Sequence, residues 1–301
     1  MKVVITGSTG LIGSALGPFL EGQGMSVSRV RRAAPGDPID ATLWDPTGAG
    51  LSPDALDGAD AVVHLSGAGI ADRRWTATRK QELRASRMTS TRLVAEAVAR
   101  ATTAPRVLVC ASAVGYYGNR GDEVLTETAA PGTGFLAELC REWEAAANAP
   151  RQRGVRVVFL RSGIALSAAG GALGKMLLPF KAGLGGVLGS GRQFMSWIAI
   201  DDLVRVVEHA LTRDVLDGPV NVATPRAATN REFTSTLGAV LRRPTVLPMP
   251  APVVRLLFGE LGVETLLSST RVEPARLMDT GFEFHYPALD GALRHVLGRD
   301  S

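Results

Sequence analysis

Cysteine is nearly absent from this 301-residue chain: there are two, Cys110 and Cys140. Two thiols in apolar or helical patterns make no disulfide framework. They read as buried, reduced side chains suited to the cytosol. No run approaches the ~18 apolar residues of a membrane span. The opening "MKVVITG" lacks an apolar stretch long enough for a signal peptide. The expectation is a cytoplasmic chain with no membrane partner. Basic runs are scarce too. The net charge is +4, and the one dense cluster is "RVRR" (Arg29 to Arg32). That is too little for a phosphate-tracking stripe, so no nucleic-acid partner is expected. Histidine occurs four times, and no His/Cys/Asp spacing resembles a metal site, so no metal is expected.

What is present is a large apolar fraction, 46%, against 21% charged residues, ordinary for a globular chain. The first half alternates short apolar runs with helical patterns. "KVVIT" (2–6), "SVSRV" (26–30), "AVVHL" (61–65), "RVLVCAS" (106–112) and "VRVVFLRSG" (155–163) read as strands, with a short one at 41–45. Residues 11–24, 76–101 and 134–148 read as helices, although Pro18 weakens the first. Such alternation with both faces buried predicts an α/β fold: a doubly wound parallel sheet of Rossmann type. Beyond Ser162 the texture becomes Gly-rich. A helix near 171–181 sits among loops, and 162–195 reads as a lid or substrate segment. "FMSWIAI" (194–200), "GPVNVA" (218–223) and "FEFHYP" (282–287) read as strands. Residues 201–213, 230–243 and 288–298 read as helices. The expected division is a nucleotide-binding domain over 1–225 and a smaller C-terminal α/β region over 245–298.

"ITGSTGLIG" (Ile5 to Gly13) carries the chemistry. A strand ending in three glycines spaced by three at a helix start is a dinucleotide turn. The first glycine allows the tight bend, the second lets the pyrophosphate approach, and the third lets the helix pack. The candidate phosphate ligands are therefore Gly7, Ser8, Thr9, Gly10, Leu11, Ile12 and Gly13. NAD sites usually place Asp or Glu after the second strand. Here that strand ends in "SRVRRAA", with no carboxylate until Asp37. Arg31 and Arg32 suit an adenosine 2′-phosphate, so NADP(H) is the expected cofactor.

"TGSTGLIG", "DAVVHLSGAGI", "VCASAVGYYG" and "MSWIAIDDL", in this order, resemble the extended short-chain dehydrogenase/reductases. "RRWTATRKQELRASRMTSTRLVAEA" (73–97), "GFLAELCREWEAAA" (134–147) and the tail at 247–293 are similar to its atypical branch of epimerase-family, nucleoside-diphosphate-sugar-epimerase-like proteins. That branch carries a small C-terminal domain of uncharacterised function. The resemblance spans essentially the whole chain. It implies a seven-stranded Rossmann sheet with NADP(H) in its crevice, lined further by Leu65, Ser66, Gly67 and Ala111. It also implies hydride transfer on a small carbonyl or sugar-like substrate, by a monomer or homodimer.

One part of the family pattern is missing. The superfamily moves protons with a Tyr-x-x-x-Lys pair, assisted by a serine. Ser112 stands at the serine position. The three tyrosines are followed four residues later by Arg120, Gly121 and Asp290, so no such pair exists. The helix where it belongs reads "FLAELC" (Phe135 to Cys140). Tyr116 and Tyr117, close behind Ser112, are the substitute candidates for proton transfer, with packing or cofactor stacking as the alternative. If neither serves, a non-catalytic NADP(H)- or metabolite-sensing protein is the competing reading. The branch commonly has histidine where this chain has Ala199. His64 reads as a core histidine, and Asp201 and Asp202 as caps of the helix they begin. Trp75, Lys80, Lys175, Lys181 and Arg192 are candidates to line a substrate pocket.

Overall fold

The computed structural model describes residues 1–33, 42–48 and 50–299; Asp37 therefore lies outside the described residues. In chain order the strands are β1 (Lys2–Thr6), β2 (Ser26–Arg32), β3 (Leu43–Asp45), β4 (Gly50–Leu51), β5 (Ala61–His64), β6 (Val107–Ala113), β7 (Val124–Leu125), β8 (Arg156–Ser162), β9 (Ile164–Leu166), β10 (Phe194–Met195), β11 (Trp197–Ala199), β12 (Gly218–Val222), β13 (Ala228–Thr229) and β14 (Arg271–Val272). The α-helices are α1 (Leu11–Gly22), α2 (Ala77–Arg100), α3 (Phe135–Ala146), α4 (Gly171–Lys181), α5 (Ile200–Thr212), α6 (Asn230–Leu241), α7 (Ala251–Phe258), α8 (Glu260–Thr265), α9 (Ala275–Asp279) and α10 (Leu289–Val296).

The main sheet has the order β12-β8-β6-β5-β1-β2-β3-β4. Seven of its strands are parallel, and the two-residue β4 closes the edge antiparallel to β3. Continuous Val/Ile/Leu runs make this possible, because helices cover both faces. On one face Val3, Ile5 and Val109 meet Leu16 of α1 and Leu203 and Val207 of α5. On the other, Val4, Val62 and Leu108 meet Val94 and Val98 of α2. Chain order reverses between β1 and β5, and ligands in open parallel sheets sit beyond the strand C-termini at such a switch point.

The Gly-rich segment is held by packing. α4 buries Leu173, Leu177 and Phe180 in a cluster with Phe233 and Leu237 of α6. A Cβ on Gly186 would stand 1.7 Å from the Leu247 carbonyl oxygen. Glycine there lets two backbones touch.

Two expectations about the C-terminal half need correction. "FEFHYP" is not a strand. Phe282 and Phe284 do pack on the core, but the backbone N–H groups of His285 and Tyr286 donate to the two carboxylate oxygens of Asp202, both at 2.9 Å. A side chain takes the hydrogen bonds that a neighbouring strand would have taken. Asp202 is consequently not the cap of α5, whose N-cap is Ala199 without a side-chain bond. It pins the tail to the Rossmann body, and Asp201 contacts His295 instead. Glu264 makes a second such tie, accepting from the N–H groups of Phe135 and Leu136 at 2.8 Å each. It thereby caps α3 from outside. Among the described residues no helix is long and apolar enough to cross a membrane.

Candidate nucleotide and substrate site

The turn after β1 assigns each glycine a separate task. Gly7 has φ +76°, and a Cβ on it would lie 2.8 Å from the backbone of Leu65 and Ser66. The bend and the approach to the end of β5 both require glycine. A Cβ on Gly13 would stand 2.3 Å from the Gly7 carbonyl oxygen, so α1 packs on the turn only without a side chain. A Cβ on Gly10 would meet one atom, the Gly7 oxygen at 3.3 Å. Its remaining side faces open space, where a phosphate needs to approach.

That space is polar and unsatisfied. Gly10 is the N-cap of α1 and offers no side-chain oxygen, and the first turn has no acidic residue. The amide donors and positive end of the helix are left for an anion. Ser8 Oγ is buried and has no hydrogen-bond partner, which is costly unless a ligand supplies one. The cleft over this turn is lined by Gly7, Ser8, Thr9 and Gly10, then Val30, Arg31, Arg32 and Trp44, then Leu65, Ser66 and Gly67. Arg31 and Arg32 are exposed at its rim. A helix terminus, an orphaned hydroxyl and two guanidinium groups in one cleft fit a dinucleotide with an additional phosphate. Leu11, Ile12 and Gly13 form the first turn of α1, and Ala111 lies one residue before Ser112 on β6.

Further along the crevice the character changes. Ser112 is the penultimate residue of β6, and its Oγ donates to Glu144 Oε1 of α3 at 2.8 Å. Arg161 of β8 grips the same carboxylate with two bonds, Nε to Oε1 and Nη2 to Oε2, both 2.8 Å. Arg161 Nη1 donates to the Tyr117 hydroxyl at 3.1 Å, and that hydroxyl donates to Asn221 Oδ1 at 2.7 Å. Tyr117 has no exposed surface. Burial raises its pKa, against the pull of Arg161. Its phenol is committed to two protein groups. Tyr116 is half-buried, with its ring centroid 3.4 Å from the Arg161 guanidinium carbon. The guanidinium charge sits on the ring face, a cation–π contact.

Cys140 lies on α3, in the stretch where the family pair would belong. Burial pushes its thiol up to about 12, so it is a neutral core group. Beneath the end of β5, His64 bridges Thr6 Oγ1 at 2.7 Å and Thr91 Oγ1 at 3.1 Å. Burial lowers its pKa to about 3, which makes it a neutral core histidine as expected. The loop after β5 is pinned from α2: Arg87 donates to Ala68 O, and Arg79 to Gly69 O. Trp75 is buried and donates to Ile70 O. Lys80 is paired with Glu260 of α8, and Lys175 with Asp72. Glu144 and Arg161 were not among the residues expected from the sequence to form the site. One signal was available: "VVFLRSG" sets an arginine inside an apolar central strand, and a buried guanidinium needs a carboxylate.

Fold and site together define a Rossmann-type protein with a glycine-rich nucleotide cradle. The particular family follows from comparison with known proteins. Residues 3–223 match the NAD dependent epimerase/dehydratase family, and residues 249–296 match a domain of unknown function, DUF1731. The chain belongs to that epimerase/dehydratase family. It is 46% identical over 297 residues to epimerase family protein Mb2239 of Mycobacterium bovis, covering 99% of this chain and 98% of that one. It is 38% identical to human epimerase family protein SDR39U1, covering 99% and 100%. The crystal structure of human SDR39U1 (isoform 2) with NADPH superposes with a TM-score of 0.88 at 36% identity, covering 99% of each chain. UDP-glucose 4-epimerase from Thermus thermophilus, solved with NAD, shares the fold at 21% identity and a TM-score of 0.76.

Proposed function

We propose that this chain binds NADP(H) in the β1–α1 cradle and catalyses hydride transfer on a small hydroxyl- or carbonyl-bearing, sugar-like substrate. The orphaned Ser8 Oγ, buried beside an uncapped helix terminus in a cleft rimmed by Arg31 and Arg32, carries the cofactor half of this reading. The relationship to the human protein solved with NADPH supports it. When bound, the nicotinamide supplies the hydride chemistry. The chain's contribution is to hold and orient. The amides of Leu11, Ile12 and Gly13 and Ser8 Oγ take the pyrophosphate, Arg31 and Arg32 take the 2′-phosphate, and Leu65 to Gly67 and Ala111 floor the nicotinamide end. Ser112 meets the reacting substrate oxygen, with Tyr116 the nearest phenol not committed to two partners.

The test is Gly10→Val, titrated with NADPH by calorimetry. Backbone at Gly10 has φ −75°, which any residue adopts, and a Cβ there meets only the Gly7 carbonyl oxygen, at 3.3 Å, so the variant is expected to fold with a modestly lowered melting temperature. Its NADPH affinity should fall by about 100-fold or more, because the new methyls occupy the phosphate space. Wild-type affinity in the variant would place the phosphates elsewhere. A second reading, cofactor or metabolite sensing without turnover, is favoured by one observation: the corner around Ser112 holds neither a Tyr-x-x-x-Lys pair nor a titratable thiol. A screen of alcohols and carbonyl compounds against NADP+ and NADPH separates the two readings. Tight nucleotide binding with no turnover across the screen would favour sensing.

A further inference from the structure

Among the described residues three arginines are buried, Arg79, Arg87 and Arg161. Arg79 is paired with Glu82 and Arg161 with Glu144. Arg87 of α2 differs: no carboxylate of the described residues pairs with it. It is 6% exposed. It donates to the carbonyls of Leu83 and Ala68, and its guanidinium carbon lies 4.9 Å from the centre of the Trp143 ring. Cys140 supplies no negative charge, because burial keeps its thiol protonated. Burial lowers the Arg87 pKa to about 10, which still leaves the group charged at neutral pH. A buried cation without a counter-charge is costly. Its field is also poorly screened by solvent, so it acts at longer range than a surface charge.

That field meets the nucleotide cleft at Gly67. A Cβ on Gly67 would stand 3.6 Å from the Arg87 guanidinium carbon, and Gly67 lines the cleft over the β1–α1 turn. Arg31, Arg32 and Trp44 line the other end of the same cleft, from β2 and β3. A dinucleotide lies across the switch point of such a sheet. With its adenosine phosphate against Arg31 and Arg32, its nicotinamide falls on the β5 side, where Arg87 stands behind the wall.

We infer that the unpaired charge of Arg87 makes the crevice hold the reduced nicotinamide, which is neutral, in preference to the oxidised ring, which is a cation. The inference rests on the NADP(H) reading of the cradle and extends it to the redox form that is kept. Uptake of a hydride, two electrons and a proton, removes the ring's positive charge, so a fixed cation nearby favours the reduced side of the couple. Bound NADP+ is then a stronger oxidant than free NADP+. Arg87 is a positioning residue: it acts by its field and touches no substrate.

The test is calorimetric titration of NADP+ and of NADPH into the wild type, Arg87→Met and Arg87→Lys. The wild type should bind NADPH about 10-fold more tightly than NADP+, which sets the bound couple about 30 mV more positive than the free one. Arg87→Met should bring the two affinities within about twofold. Arg87→Lys loses the guanidinium fork but keeps the charge, and should retain most of the ratio. A merely structural role would weaken both nucleotides alike in both variants and leave the ratio where it was. Equal wild-type affinities, tighter binding of NADP+, a ratio that survives Arg87→Met, or one lost equally in Arg87→Lys would overturn the inference. Should Arg87→Met fail to fold, the wild-type ratio and Arg87→Lys still decide. Wild-type protein that binds neither nucleotide would overturn the cofactor reading and this inference with it, whereas tight binding at a ratio of one would overturn this inference alone.

Discussion

Two corners of one crevice, at the ends of β1 and β6 and separated in the sheet only by β5, are built in opposite ways. The cradle after β1 leaves polar groups unmet: a bare helix terminus, a buried hydroxyl without a partner, and two arginines at the rim. The corner after β6 satisfies its members in a closed chain from Ser112 through Glu144, Arg161 and Tyr117 to Asn221. A buried polar group without a partner is expensive, and it persists where a ligand completes it. On the proposed reading, the open corner is where the charged nucleotide binds. The closed corner is a frame.

The closed corner breaks most severely at Arg161. Arg161→Met would leave the nearly buried Glu144 carboxyl without its partner, at a cost of about 3–5 kcal/mol. Denaturant unfolding should show that loss, and a change below about 1 kcal/mol would mean that the network is not closed as described. Next comes pH. Folded His64 stays neutral down to about 3, whereas its ordinary pKa is 6.5. Between those values the unfolded chain binds the extra proton, so stability rises with pH there. The His64 contribution is complete above about 6.5 and drains away as pH falls toward 3. Urea unfolding of wild type and His64→Gln across that range should show a steeper acid decline in the wild type. Parallel curves would show that burial does not hold this imidazole neutral. Smaller again is Tyr117→Phe. It removes one hydroxyl and strands Asn221 Oδ1 and one Arg161 N–H, at about 1–3 kcal/mol. Nucleotide affinity should stay unchanged, because the phenol belongs to the frame. If NADPH binding fell tenfold or more, the two corners would not be independent.

The open corner was legible in the sequence, and the closed one was not. Glycines three apart at a strand–helix junction have one geometric meaning: Gly7 makes the bend, Gly13 the packing and Gly10 the space. The apolar runs of β1, β5, β6 and β8 were likewise legible as buried parallel strands, since both faces of a parallel sheet are covered. Glu144 and Arg161 lie 17 residues apart, on a helix and a strand. No periodicity links them, and only the lone arginine in "VVFLRSG" hinted at a partner. "FEFHYP" misled because alternating aromatics imitate a strand, whereas its backbone donors go to Asp202, more than eighty residues earlier. Asp202 itself looked like a helix cap, because the residue it binds is distant in sequence. Short-range patterns report on backbone geometry; hydrogen bonds closed by tertiary contacts leave no local trace.

The measurement that bears most directly on the open corner is a paired calorimetric titration of NADPH and NADH. It is run on the wild type and on the Arg31→Ala/Arg32→Ala double variant. The two nucleotides differ by one phosphate, which should lie against these guanidinium groups. Wild-type protein should bind NADPH at least ~10-fold more tightly, about 1.4 kcal/mol, and the double variant should bind both nucleotides alike. Equal affinities in the wild type, or a preference that survives loss of both arginines, would contradict the account.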